Sequence, residues 1–153
     1  MNYNKPLAAV LIGILSTIPY EIFTRLFLLF GIGKYSAYQL TSMIVTLDRP
    51  SAILGFFISS ILGSCSTLLF YYALKKIGSD YLLIKSIITG FVVFIFLETI
   101  FTSLIEGPGL IPLRPIGDYY IHMFGSAIFG LTMGLLLKSY LLKQTTFKSG
   151  INN

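Results

Sequence analysis

The sequence predicts an all-α membrane protein of four transmembrane helices, with a short amphipathic surface helix after the first. Three observations carry that prediction. Hydrophobic residues make up 55% of the 153-residue chain and charged residues only 11%, whereas a soluble domain carries about a quarter charged. The apolar residues fall in unbroken runs near the roughly 20 residues needed to cross a bilayer. Lysines gather at the ends of those runs rather than on one face of each.

The runs are 7–30, 52–74, 82–105 and 116–142, and the whole chain reads as one four-span domain. The first begins like a secretory signal, with Lys5 before an apolar stretch. It continues past Pro19 and Arg25 to Phe30 with no small-residue cleavage site, so it is expected to be a retained helix. Turn-formers separate the runs: Gly31-Ile32-Gly33, Arg49-Pro50, Gly78-Ser79-Asp80, and Gly107-Pro108-Gly109 through Pro112 and Pro115. Within 35–47, Leu40, Met43, Ile44 and Leu47 recur at helical spacing, while Gln39, Thr41, Ser42 and Thr46 point elsewhere. That pattern predicts a helix lying on the membrane surface, with Tyr35 and Tyr38 at headgroup level.

Orientation follows from the cations. Lys5, Lys75, Lys76, Lys85, Lys138, Lys143 and Lys148 fall on one side, against Arg25, Lys34, Arg49 and Arg114 on the other. Seven against four places both termini in the cytoplasm. With Asp80 the one acid on that side, the cytoplasmic face carries about +6 and should attract anionic lipids. This distribution accounts for the net charge of +5 without nucleic acid, for which a basic stripe with exposed aromatics would be expected. Cys65, the single cysteine, excludes an intrachain disulfide and reads as a small apolar residue.

Every span carries a four-residue rhythm of small and polar residues, which places them on one helix face. Gly55, Ser59 and Gly63 in the second, and Ser126, Gly130 and Gly134 in the fourth, are expected packing seams where backbones approach closely. A faint internal echo links Gly13…Glu21 to Gly90…Glu98 at equal spacing, as a duplicated hairpin would.

Charges are the residues that packing alone does not explain. At about 1.5 Å rise per residue, Glu21 and Glu98 lie roughly 20 Å from the cytoplasmic ends of their helices. Arg25 falls one turn higher and His122 one turn below the outer surface, so Glu21, Arg25, Glu98 and His122 are expected in one buried polar layer. Glu106, Arg114 and Asp118 would rim it. Charges in a bilayer cost about 2.5–3.5 kcal/mol each on insertion scales and therefore pair within the bundle. Glu21 and Arg25 have the spacing of an intrahelical pair, with Glu98 a second partner for Arg25. The layer reads either as a structural network or as a proton-handling site; Asp118 reads equally as a helix cap. Catalytic residues are not assignable: the chain has no His-Glu-x-x-His, no Gly-x-Ser-x-Gly and no Walker loop. Glu21, Glu98, Glu106, Asp118 and His122 offer atom types that suit a divalent ion, but no spacing among them is diagnostic, Asp118-x-x-x-His122 included, and no cofactor is expected.

Ile18-Pro19-Tyr20-Glu21-Ile22-Phe23-Thr24-Arg25, Gly31-Ile32-Gly33-Lys34-Tyr35-Ser36 and Arg114-Pro115-Ile116-Gly117-Asp118-Tyr119-Tyr120-Ile121-His122 resemble segments of small four-helix integral membrane proteins of Gram-positive bacteria. The resemblance covers nearly the whole chain. It implies a bacterial plasma-membrane location and, since that family has no assigned activity, no mechanism. The residues leave three function classes as expectations. The first is a non-enzymatic membrane component that binds lipids, other membrane proteins or a second copy through its small-residue seams. The others are a small oligomeric, proton-coupled permease using the polar layer, and an intramembrane enzyme with His122 and a carboxylate as acid and base.

Overall fold

In a computed structural model, which describes residues 5–142, the chain folds as five helices. They are α1 (Lys5–Leu29), α2 (Ala37–Thr46), α3 (Ala52–Ile77), α4 (Leu82–Phe101) and α5 (Ile116–Leu137). Wider π turns extend α4 over Thr102–Glu106 and α5 over Lys138–Leu142. Lys143 and Lys148, counted in the charge asymmetry, lie outside the described residues. Among the described residues there is no strand, and α1, α3, α4 with its π turn, and α5 are long and apolar enough to cross a membrane.

The local chemistry explains where the elements begin and end. α1 runs unbroken through Pro19. Gly31 and Gly33 both take positive φ, which lets the chain turn back tightly toward the bundle. Ser36 then starts α2 with a reciprocal cap: its Oγ accepts from the Gln39 N–H, and Gln39 Oε1 accepts from the Ser36 N–H. Ser51 caps α3, and Lys75 and Lys76 fill its last turn, where positive charge suits the helix dipole.

The four long helices are arranged as an arc. α1 and α5 are the central pair, α3 packs on α1, α4 packs on α5, and α3 and α4 barely touch although they are neighbours in sequence. Small residues make these contacts. A Cβ on Gly13 would overlap the Gly63 carbonyl of α3, and one on Gly90 would overlap the Ser126 carbonyl of α5. Gly130 and Gly134 meet Ser86 of α4 in the same way, and Gly55 meets the Tyr38 carbonyl of α2. The seams read from the sequence thus hold this chain's own helices together.

Apolar packing concentrates at the two ends. Ala8, Ile12, Phe70, Phe129, Met133 and Leu137 form one cluster; Leu40, Met43, Phe101, Ile105 and Ile111 form the other, beneath α2. α2 does not present only its apolar stripe inward. Ala37, Tyr38, Leu40, Ser42 and Met43 are all buried. Ser42, expected on the polar face, accepts the Ser51 N–H, and Tyr38, expected among headgroups, is hydrogen-bonded to Thr17 in α1.

Candidate functional site

The charged residues separate into two networks. The first is built on Glu21, which is buried in α1. Its Oε1 accepts from Arg25 Nε at 2.5 Å and Ser36 Oγ at 2.9 Å, and its Oε2 from the Tyr38 N–H at 2.8 Å. Glu21 and Arg25 pair as their spacing suggests. Arg25 is 54% exposed, however, and among the described residues its partner is Glu21 alone. What Glu21 mainly does is tie down the start of α2, helped by Thr24 Oγ1 accepting from the Ala37 N–H. Burial, above all, pushes the Tyr38 phenol above its ordinary pKa, with its bond to Thr17 acting the other way.

The second network centres on Arg114, a residue the sequence suggested would only rim the site. Its side chain is fully buried and meets three carboxylates: Glu98 through Nη2, Glu106 through Nε at 2.8 Å, and Asp118 through Nη1 at 3.3 Å. The guanidinium carbon lies 4.5 Å from the ring centroids of both Phe101 and Tyr119, so the cation is stacked on two aromatic faces. Burial alone would lower the Arg114 pKa, but Glu106 and Glu98 outweigh it and hold the guanidinium firmly charged. Glu98 therefore pairs with Arg114 and not with Arg25, because the 107–115 connection folds back over the end of the bundle. The π turn over Thr102–Glu106 carries Glu106 into the same place, where it also accepts from Tyr119 Oη at 2.7 Å.

Asp118 sits in the first turn of α5, but the cap position is Pro115. Its Oδ1 instead accepts the Lys34 N–H at 2.8 Å, joining α5 to the turn after α1. His122 is fully buried one turn further on. Its Nε2 lies 3.1 Å from the Tyr35 carbonyl, which can only accept, so the proton belongs on Nε2. Nδ1 is then free to accept from Tyr20 Oη at 3.0 Å. Both ring nitrogens are engaged in joining α1, the 31–36 turn and α5.

The gap between α3 and α4 opens a cleft of about 60 Å³, several times the space one water needs. α1 contributes Thr17 and Tyr20 to it, α2 Tyr38 and Thr41, and α5 Ser126 and Phe129; α3 and α4 form its walls. Most of its hydroxyls are already committed: Thr17 to Ile14 O, Thr41 to Ser59, Ser126 to Met123 O, and Tyr20 to His122. Glu98 is the carboxylate on the cleft. Among the described residues its partner is Arg114, through Oε1, and its side chain remains 14% exposed. The sequence drew attention to Glu98 but held no signal for a cleft.

Among the described residues, no three His, Cys, Asp or Glu side chains converge as metal ligands would; Arg114 stands among the acids instead. Fold and site together define a class: a helical bundle with four helices long and apolar enough to cross a membrane, an ion network tying one end and an apolar cleft between two of its helices. No protein-family model, curated protein or solved structure matches the chain.

Proposed function

We propose that this protein is a non-enzymatic component of a bacterial plasma membrane, with four spans and both termini in the cytoplasm, that holds a lipophilic guest in the cleft between α3 and α4. The observation that carries this reading is the separation of α3 from α4. Two apolar helices of one hairpin would be expected to pack together; here they stand apart around a lined space. Because α3 and α4 are the less buried of the long helices, the cleft opens sideways, where a guest dissolved in lipid can enter. The small-residue seams are consumed within the chain, so the cleft rather than a seam is the binding element.

In this reading α2 sits at the outer end of the bundle, half sunk between α1 and α3, with Val45 and Leu47 turned outward. The cytoplasmic cations anchor the opposite end on anionic lipid. An acid–base role for His122 gains no support, since the ring is fully buried with both nitrogens occupied. The position of Glu98 on the cleft favours a second reading, an oligomeric permease. Proton uptake by proteoliposomes that depends on Glu98 would distinguish it.

The test is photolabelling in a reconstituted bilayer with a neutral alkyl diazirine. Cleft residues Leu62 and Val93 should be labelled in preference to the outward-facing Ile61 and Val92. Equal labelling of both sets would remove the basis for a guest.

A further inference from the structure

The cleft is apolar, yet its outer end is not neutral. Arg114 faces Glu98, Glu106 and Asp118, so three carboxylates share one guanidinium. Among the described residues no other cation makes up the difference. Arg25 pairs with Glu21. Lys34 gives Asp118 only its backbone N–H, while its ammonium lies over the Tyr35 ring at a centroid distance of 5.2 Å. His122 Nε2 comes within 3.8 Å of Asp118 Oδ2, but its proton is given to the Tyr35 carbonyl and Nδ1 is placed to accept from Tyr20, so the ring is neutral.

The three acids are not equally placed. Glu106 has both oxygens occupied, by Arg114 and by Tyr119. Asp118 likewise uses both, on the Lys34 N–H and on Arg114. Glu98 has a bond on Oε1, and no hydrogen bond reaches its Oε2 among the described residues. Glu98 edges both the cleft and a shallow hollow with Thr99, Thr102 and Ser103 on the outer side of α4. The carboxylate oxygen left without a hydrogen bond is thus presented where a guest would enter. Phe94 and Phe129 line the same space, and aromatic surroundings favour a cation over a neutral group.

Resting on the guest-binding reading above, we infer that the guest is a lipophilic cation: an alkyl amine or quaternary ammonium whose head lies at Glu98 and whose tail follows the gap between α3 and α4. A zwitterionic phospholipid fits less well, because its phosphate would be brought up to Glu98, Glu106 and Asp118. An anionic lipid fits worse for the same reason. A neutral alcohol offers Glu98 no counter-charge in a water-poor site.

The experiment uses the full chain in phosphatidylcholine nanodiscs and spin-labelled probes of equal chain length: a quaternary alkylammonium, an alcohol and a phosphatidylethanolamine. Electron paramagnetic resonance separates probe immobilised on protein from probe moving freely in lipid. The alkylammonium should be immobilised at least tenfold more tightly than the alcohol or the phospholipid. Glu98→Gln should abolish that preference. Val93→Phe, which fills the cleft and leaves every charge in place, should abolish immobilisation of all three.

Immobilisation of all three probes equally, still lost in Val93→Phe, would overturn the cation inference while the guest-binding reading stood. Preference for the phospholipid would make the cleft a lipid seat and likewise overturn the inference. No immobilisation of any probe would defeat both. Should Glu98→Gln unfold, as its melt would show, the ratio of ammonium to alcohol binding in the wild-type protein decides alone.

Discussion

Replacing Arg114 by glutamine tests whether the α2 end of the bundle is held by its ion network. The side chain is fully buried against Glu98, Glu106 and Asp118, so the change strands three carboxylates in a site with little water. Removing one partner of a buried ion pair costs about 3–5 kcal/mol, chiefly because the remaining charge stays desolvated. For a chain of this size each kcal/mol moves the melting temperature about 2–4 °C, so Arg114→Gln should lower it by roughly 6–20 °C. The same change at Arg25 is the control. That side chain is 54% exposed, and Glu21 would keep Ser36 Oγ and the Tyr38 N–H as donors. With Arg25 open to solvent and two donors left on Glu21, the loss should stay within the about 0–1 kcal/mol of an exposed pair, so Arg25→Gln should cost no more than about 4 °C. The assay is thermal unfolding in mild detergent followed by circular dichroism. Adding Glu98→Gln to Arg114→Gln should recover part of the loss, because the two residues share one network and their effects do not add. Equal losses at the two arginines, or a loss at Arg114 below about 1 kcal/mol, would refute the claim that Arg114 organises this end.

Gly55→Ala should loosen α2, since the new methyl overlaps the Tyr38 carbonyl. Overpacking of this kind costs about 1–3 kcal/mol, and faster proteolysis near 47–50 would report it, with Gly117→Ala, whose nearest neighbour is Ile32 Cγ2 at 3.7 Å, as the silent control. Tyr20→Phe removes the donor to His122 Nδ1 and should cost about 1–3 kcal/mol, the penalty for a buried acceptor left unpaired. Nitrogen NMR on the wild-type protein should find the His122 proton on Nε2; a proton on Nδ1 alone would contradict the assignment to Tyr35 and Tyr20. In cells carrying a Cys65→Ala background, a membrane-impermeant maleimide should label Arg49→Cys from outside and Asp80→Cys only after lysis. The reverse pattern would invert the orientation.

The four long helices were legible because length and hydropathy act over whole segments. Glycine spacing located the seams for a similarly local reason: residues four apart share a helix face whatever the fold. The sequence singled out the charged residues but grouped them wrongly: Arg25, placed in the buried layer, is 54% exposed, and Arg114, placed on its rim, is fully buried. Glu21 and Arg25 are neighbours on one helix, so the sequence could pair them. Glu98 and Arg114 are brought together by a connection rich in Gly and Pro folding back on the bundle, and no periodicity encodes that return path. A loop arginine between Leu113 and Pro115 carries the default expectation of exposure, and only the three acids it meets explain its burial. The placement of α2 had one overlooked signal, Ser36-x-x-Gln39, which marks a capped helix start. Its depth against Thr17 depends on Gly55 admitting the Tyr38 backbone, a contact between helices that a single segment does not reveal. The cleft had no sequence signature, because it arises from two helices failing to pack.

The echo between Gly13…Glu21 and Gly90…Glu98 acquires a physical meaning from these contacts. Gly13 of α1 meets Gly63 of α3, and Gly90 of α4 meets Ser126 and Gly130 of α5, so each glycine closes its own hairpin at the same distance from its glutamate. α4 runs antiparallel to α5, and α5 antiparallel to α1, so α1 and α4 point the same way, as a parallel repeat requires. The two halves diverge beyond their first helix. After α1 the chain returns as α2, whose Ser36 hydroxyl and Tyr38 amide join Arg25 in giving Glu21 three donors. After α4 the chain returns as an irregular connection that delivers one guanidinium, shared among three acids. The two carboxylates at matching spacing therefore end in opposite conditions: Glu21 accepts from three donors, while among the described residues Glu98 has one oxygen without a hydrogen bond and lines the cleft. If the halves began alike, that difference is where the second hairpin departed from a purely structural role, and Glu98 rather than Glu21 is the residue whose chemistry a ligand would meet.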